Sequence, residues 1–465
     1  MYKIKFGTDG WRAIIAEGYT YENLHRVSEA TAVWVNENYD SASVVIGYDC
    51  RYQGTRFTEY AARVLASSGV KVIISDGFVS TPMVSLAVVK EKASLGVVIT
   101  ASHNPPEYNG FKLKADFGGP SGPAVIKQVE DLIPDAPKVA LKSLDELKEA
   151  GLISYLDMET MYLDEVFAKF DIEAIKKANI GIAYDAMYGA GQAVMNKILP
   201  KTVLLHGEFN PSFNGQAPEP LHKNLSELSE LIAGRDDLQF GMATDGDADR
   251  IGLYNHKGEF VDSHKTLLLL TNYIHKYKGL NGKVVTTFSV TNKLRQLCNH
   301  YDLPIQITKI GFKYICGIMV NENVIVGGEE SGGLAITGHV PERDGIWIAL
   351  TILEFMAKTG KSLEELMAEI YDLVGMFEFK RNDLHITNEL KHSIMKQCAD
   401  GAFKSFGDLA VTSEESIDGY KYYFSDNEWV LIRPSGTEPV LRVYCEAPTM
   451  ERVDAILAKV ESAIT

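Results

Sequence analysis

YENLHRVSEATAVWVNEN (21–38), SASVVIGYD (41–49), TEYAARVLAS (58–67), GVKVIISDG (69–77), TPMVSLAVVKEK (81–92) and SLGVVIT (94–100) follow one another with little between them. The longer segments repeat apolar residues at helical spacing, and the shorter ones are near-continuous β-branched runs. Strands of that kind with helices between them predict a mixed, largely parallel sheet covered on both faces. This α/β unit is expected to span 1–140. The alternation restarts over 141–260, with a helix at ETMYLDEVFAKFDIEAIKKA (159–178), a strand and Gly-rich turn at NIGIAYDAMYGAG (179–191), and strands at 201–207 and 238–244. A third unit, 261–375, reads as helix 263–278, strand 283–289, helix 291–301, strand 323–328 and helix 345–359. VVIGYDCRYQGT (44–55) and IGIAYDAMYGAG (180–191) echo each other, and KVVTTFSVTNKL (283–294) stands at the matching place in the third unit without the Asp. Three related units are therefore expected. Residues 376–465 differ: a helix in 380–403, strands in 419–434 and 440–447 that can pair antiparallel, and a helix at 450–464 predict a smaller α+β domain beyond a linker near 375–380.

The chain has 465 residues, 46% hydrophobic and 23% charged, which are globular proportions. At roughly 150 residues per domain this length carries about three domains, more than one growing core serves. The formal net charge of −16 repels nucleic-acid backbones and anionic membranes. Small anionic substrates stay compatible, because their pocket needs only a few convergent positive groups. The N-terminal MYKIKFGTDGWR lacks the apolar stretch of a signal peptide. The run IWIALTILEFMA (346–357) contains Glu354 and is far short of the roughly 20 residues that cross a bilayer. Five cysteines without a CxxC pair predict reduced core thiols and a cytoplasmic location.

Four loops carry chemistry-bearing residues. In GVVITASHNPPEYNGFKLK (96–114) a strand delivers Ser102 and His103 into a loop stiffened by Pro105 and Pro106, with Lys112 beyond. In LQFGMATDGDADRIG (238–252), Asp245, Asp247 and Asp249 alternate directly after a strand, followed by Arg250. Three carboxylates at that spacing repel unless a cation neutralises them. An EF-hand is excluded, since Arg250 stands where Gly is required and His256 where Glu is, and an oxygen-only set favours Mg²⁺. In VGGEESGGLAITGHVPERDG (326–345), Glu329, Glu330 and Ser331 suit vicinal sugar hydroxyls, with Arg343 before the next helix. In IRPSGTEPVLRV (432–443), Arg433, Ser435, Gly436 and Thr437 supply a guanidinium, hydroxyls and backbone N–H groups for a phosphate dianion, with Arg442 in reserve.

FGTDGWR (6–12), TASHNP (100–105), DGDADR (245–250), GEESGG (328–333) and RPSGTEP (433–439) in this order resemble the α-D-phosphohexomutase superfamily, the phosphoglucomutases and phosphomannomutases. The resemblance covers essentially the whole chain. It implies three related α/β domains plus a smaller C-terminal domain around a central cleft. It further implies that Ser102 carries the phosphoryl group and, with Asp245, Asp247 and Asp249, ligates Mg²⁺. Arg12, His103, Lys112 and Arg250 match basic residues near the transferred phosphoryl. Glu329 and Ser331 match the grip on the sugar 3- and 4-hydroxyls, and Arg433, Ser435, Gly436 and Thr437 the clamp on the other phosphate. Arg343 stands where relatives often have Lys. TKIGFKYI (308–315) and GEESGG lean toward phosphoglucomutase, whereas bispecific enzymes tend to read GEMSGH and phosphoglucosamine mutases GEQSGH.

The expected reaction interconverts α-D-glucose 1-phosphate and glucose 6-phosphate through phosphoserine and glucose 1,6-bisphosphate. Phosphomannomutase, dual specificity and phosphoglucosamine mutase are the alternatives. Lys112 is expected to be the general base, its ammonium form destabilised by surrounding cations. Hexose phosphates are the expected partners, and the protein a monomer or homodimer. A haloacid-dehalogenase-type phosphatase is disfavoured because Ile251 stands where its motif needs Thr, and a non-enzymatic binder would need neither Ser102 nor the Asp cluster.

Overall fold

The computed structural model of the chain describes residues 2–7, 10–435 and 439–464. Its first three sheets share one strand order. In the first, Ser43–Tyr48 lies parallel to both Lys71–Ser75 and Leu95–Ile99, and Leu95–Ile99 pairs antiparallel with Tyr108–Ala115. The second repeats this with Ile182–Asp185 between Val203–Leu205 and Phe240–Thr244, the latter antiparallel to Ile251–Asn255. The third repeats it again with Lys283–Thr287, Ile305–Thr308, Val324–Gly328 and Leu334–Ile336. The faint sequence echo thus marks the same central strand in each unit. In the first two it also marks the same turn, since Asp49 Oδ1 accepts from the Arg51 amide at 3.0 Å and Asp185 Oδ1 from the Met187 amide at 2.8 Å, an aspartate turn that fixes the backbone two residues on.

This order decides where chemistry can sit. In each unit the strand between the central one and the antiparallel return strand runs out into a loop: Leu95–Ile99 leads to Ser102, Phe240–Thr244 to Asp245, and Val324–Gly328 to Glu329. One apolar core runs through all three units. At its centre the helix Gly345–Thr359 buries every residue from Gly345 to Met356, as a helix apolar on all sides must.

The C-terminal sheet is antiparallel throughout, in the order Glu378–His385, Val440–Ala447, Glu428–Pro434, Tyr420–Ser425, Ser413–Glu415. One face packs on the helices Asn388–Ala399 and Met450–Ile464. The other sets Tyr423, Trp429, Leu431 and Tyr444 against Phe288 of the third unit.

Several expected elements shift. Residues 159–178 form two helices, Met158–Lys169 and Ile172–Ala178, because Asp171 caps the second by accepting from the Ala174 amide at 3.0 Å. The stretch 380–403 opens as an edge strand before its helix, so the connection is only 375–377. The first sheet takes its last strand from Ile153–Leu156, past the expected end at Ala140. All five cysteines are buried, and no helix among the described residues is long and apolar enough to cross a membrane.

Candidate active site

Ser102 is held in a left-handed conformation, φ 52°, and is 1% exposed. For a residue with a Cβ that backbone costs roughly 1–2 kcal/mol, so the surroundings must impose it. They do so through Arg51. Its two terminal nitrogens donate to the carbonyl oxygens of Ser102 (2.6 Å), Asn104 (2.6 Å), Pro105 (2.8 Å) and Tyr108 (3.0 Å). Asp49 pairs with the Arg51 Nε side at 3.3 Å and accepts from Thr100 Oγ1 at 2.5 Å. Burial pushes the Asp49 carboxyl up to about 6 against the opposing pull of Arg51 and Thr100.

The serine hydroxyl donates to Asp245 Oδ2 at 2.8 Å and lies 3.4 Å from His103 Nδ1. Asp245, Asp247 and Asp249 are fully buried, each with a carboxylate oxygen within 4.8 Å of the others. Burial and then the two neighbouring carboxylates push Asp245 well above the usual range. Burial acts the same way on Asp247, but Lys112, Thr81 and Arg343 reverse it and leave that carboxyl low. Among the described residues, Asp247 Oδ1 and Asp249 Oδ1 have no hydrogen-bond partner although both are buried. Uncompensated carboxylate oxygens so close together fit a divalent cation with oxygen ligands, so the donor set passes the test for Mg²⁺.

Lys112 differs from expectation. Its ammonium donates to Asp247 Oδ2 at 2.7 Å and Asp249 Oδ2 at 3.2 Å, all three side chains being completely buried. Two carboxylates at that range contrast with the cation-crowded setting expected for a base. His103 is the group the surroundings discharge: burial first, then the Arg250 and Arg12 guanidinium groups, hold its imidazole well below the usual range. Arg12 donates to Asn104 Oδ1 at 2.7 Å, beside the serine. The Arg250 amide donates to Asp245 Oδ1 at 3.1 Å, and its guanidinium pairs with Glu219 at 3.5 Å.

Glu329 accepts from the Gly311 amide at 2.9 Å, and burial pushes its carboxyl up to about 7. Ser331 follows on the same loop, half-buried. Arg343 reaches from this loop to Asp249 Oδ2 at 2.7 Å, which brings the third loop onto the second. Gly333 makes room for it, since a Cβ there would lie 2.5 Å from Arg343 Cδ. Glu342, beside it, accepts from Lys114 Nζ at 2.6 Å, both side chains fully buried. Lys112 and Lys114 alternate on one strand and so share a face.

On the fourth loop, Arg433 lies directly opposite Arg442 in the strand ladder. Like charges facing each other across a ladder repel unless negative charge offsets them, and Asp418 Oδ2 lies 3.1 Å from Arg433 Nε. Ser435 is buried, and its amide donates to the Val440 carbonyl at 2.9 Å. The expected sites Gly436 and Thr437 lie outside the described residues.

The structure therefore brings Ser102, His103, Lys112, Asp245, Asp247, Asp249 and Arg343 into one cluster. Arg51, Thr81, Lys114, Glu342 and, beside Arg433, Asp418 join the site without standing out in the sequence. The only signal for Arg51 is its place in the YDCRYQGT echo.

Comparison with known proteins agrees in extent. Profiles described as phosphoglucomutase/phosphomannomutase alpha/beta/alpha domains I, II and III match residues 3–139, 160–258 and 262–374, and the C-terminal domain of the same description matches 391–463. A phosphoglucomutase/phosphomannomutase of Thermococcus kodakarensis is 32% identical over 96% of this chain and 95% of its own. A protein of Methanosphaera stadtmanae assigned as a phosphoglucosamine mutase is 30% identical over 97% and 96%. The crystal structure of a Thermus thermophilus protein assigned as a phosphomannomutase superposes with a TM-score of 0.88 at 32% identity, covering 100% of this chain and 99% of that one.

Proposed function

The chain belongs to the phosphoglucomutase/phosphomannomutase family, and from that premise we propose that it is an Mg²⁺-dependent phosphohexomutase that interconverts α-D-glucose 1-phosphate and glucose 6-phosphate. The observation that carries this reading is the Ser102 hydroxyl at 2.8 Å from one carboxylate of a buried three-aspartate cluster. Phosphorylated Ser102 gives its phosphoryl to the free sugar hydroxyl. The serine P–O bond breaks, a bond to the sugar oxygen forms, and the hydroxyl proton leaves. The resulting glucose 1,6-bisphosphate turns end over end, and Ser102 takes the phosphoryl back from the other position.

Asp245, Asp247 and Asp249 would hold Mg²⁺. Bound there, the ion supplies charge neutralisation to the phosphoryl oxygens. His103, uncharged at neutral pH, accepts the hydroxyl proton. Lys112 holds Asp247 and Asp249 in place and offers positive charge to the moving phosphoryl, together with Arg12 and Arg250. Glu329 and Ser331 grip sugar hydroxyls, with Arg343 across them. Arg433, Ser435, Gly436 and Thr437 hold the phosphate that is not transferred. A clamp of this kind accepts either end of the sugar, because it reads the dianion and not the ring.

A glucose substrate is supported by GEESGG and TKIGFKYI. A second reading, glucosamine 1-phosphate, is supported by the 30% identity to the protein assigned as a phosphoglucosamine mutase. Parallel turnover of glucose, mannose and glucosamine 1-phosphates with Mg²⁺ and catalytic bisphosphate tests both. The highest kcat/KM is expected for glucose 1-phosphate, and preference for the amino sugar would replace the substrate while leaving the phosphoserine cycle in place.

A further inference from the structure

Residues 310 and 311, on the loop that follows Ile305–Thr308, present two consecutive backbone N–H groups to two carboxylates from different parts of the molecule. The Gly311 amide donates to Glu329 Oε1 at 2.9 Å, and the Ile310 amide donates to Asp418 Oδ2 at 3.0 Å. Asp418 belongs to the C-terminal domain, and the same Oδ2 lies 3.1 Å from Arg433 Nε. The turn bearing Asp418 is seated on Arg433 itself: Gly419 has φ 93°, and a Cβ there would lie 2.6 Å from the Ile432 carbonyl oxygen and 3.0 Å from Arg433 Cβ. Two observations therefore point the same way, the shared carboxylate oxygen and the glycine that lets its turn close on the arginine.

We propose that Asp418 is a positioning residue that couples the phosphate clamp to the sugar-gripping carboxylate, so that an anion held by Arg433 sets the placement of Glu329. This rests on the phosphohexomutase reading of the same site. A guanidinium is a rigid fork with five donors. The Asp418 carboxylate, 3.1 Å from Arg433 Nε, holds the guanidinium by charge. The other lone pairs of Asp418 fix the Ile310 amide, and the peptide that follows delivers the Gly311 amide to Glu329. The path from phosphate to sugar hydroxyl is thus Arg433, Asp418, the 310–311 backbone and Glu329.

Two substitutions separate the parts of this path. Asp418→Ala removes both the charge and the acceptor, whereas Asp418→Asn keeps an acceptor for the Ile310 amide and loses the ion pair. In the full-length protein without ligand, hydrogen exchange at the 310–311 amides should accelerate in Asp418→Ala and stay near wild type in Asp418→Asn. Both variants should raise KM for the sugar phosphate by about tenfold, the scale of one charge-assisted contact. Only Asp418→Ala should also lower the preference for glucose 1-phosphate over its 4-epimer galactose 1-phosphate, by about tenfold. Unchanged exchange in Asp418→Ala, or equal loss on both epimers, would overturn the coupling. If the wild-type protein turns over neither epimer, the substrate reading fails while the exchange comparison still decides whether Asp418 holds the 310–311 amides. Matched thermal unfolding of the two variants separates these outcomes from misfolding.

Discussion

Ser102 joins a strained backbone to the position proposed for the nucleophile, where its hydroxyl donates to Asp245. Ser102→Ala should lower kcat by at least about 10⁴-fold, as loss of a covalent nucleophile does, and intact mass should show that the variant no longer carries a phosphoryl group. Glu329 gives a pH prediction with a definite sign. Its carboxyl rises from an ordinary 4.5 to about 7 on burial, so the folded state binds the extra proton between those values. Its contribution is fully present below about pH 4.5 and is lost as pH rises through 7. Glu329→Gln should therefore match wild type in thermal stability at pH 4.5 and exceed it at pH 8, by no more than roughly 3 kcal/mol. It should also flatten the pH dependence of KM between 6 and 8. At this scale the sequence reveals residues that stand in motifs with their own local chemistry, such as the three aspartates. It hides Asp418 and Glu342, whose partners Ile310 and Lys114 are 108 and 228 residues away.

The working element is a strand that ends in a loop, and the first such loop depends on a neighbour. Arg51 sits on the turn after the central strand and is 1% exposed, yet it anchors four carbonyl groups of the loop that carries Ser102. Arg51→Ala leaves Asp49 buried beside a lost cation, which should destabilise the protein by about 3–5 kcal/mol. A fall in melting temperature together with loss of turnover checks this, while Arg51→Lys should recover fold more than activity because one ammonium cannot reach four carbonyls. The alternation of strands and helices is readable because periodicity is local. The break at Asp171 rests on a cap only three residues long, whereas the edge strand before Asn388–Ala399 is not readable, since a distant ladder partner decides it. Lys112 escapes for the same reason: nothing in its own segment shows that Asp247 and Asp249 fold onto it.

At the scale of the whole molecule, an acidic chain concentrates cations where three units meet. Lys112, Lys114, Asp249, Glu342 and Arg343 form a buried chain of alternating charge joining the first, second and third units. Divalent cations should strengthen this junction. Chelation should abolish turnover, and adding back Mg²⁺ at a hundred times its dissociation constant should restore it and stabilise the fold by about 2.7 kcal/mol. Asp247→Asn should remove most of that thermal shift. The space above Gly333 adds a steric consequence. A histidine at that position, as in GEMSGH or GEQSGH, would collide with the arginine that now bridges two units. A side chain at 333 and the full reach of the arginine at 343 are therefore coupled choices, since one has to give way to the other.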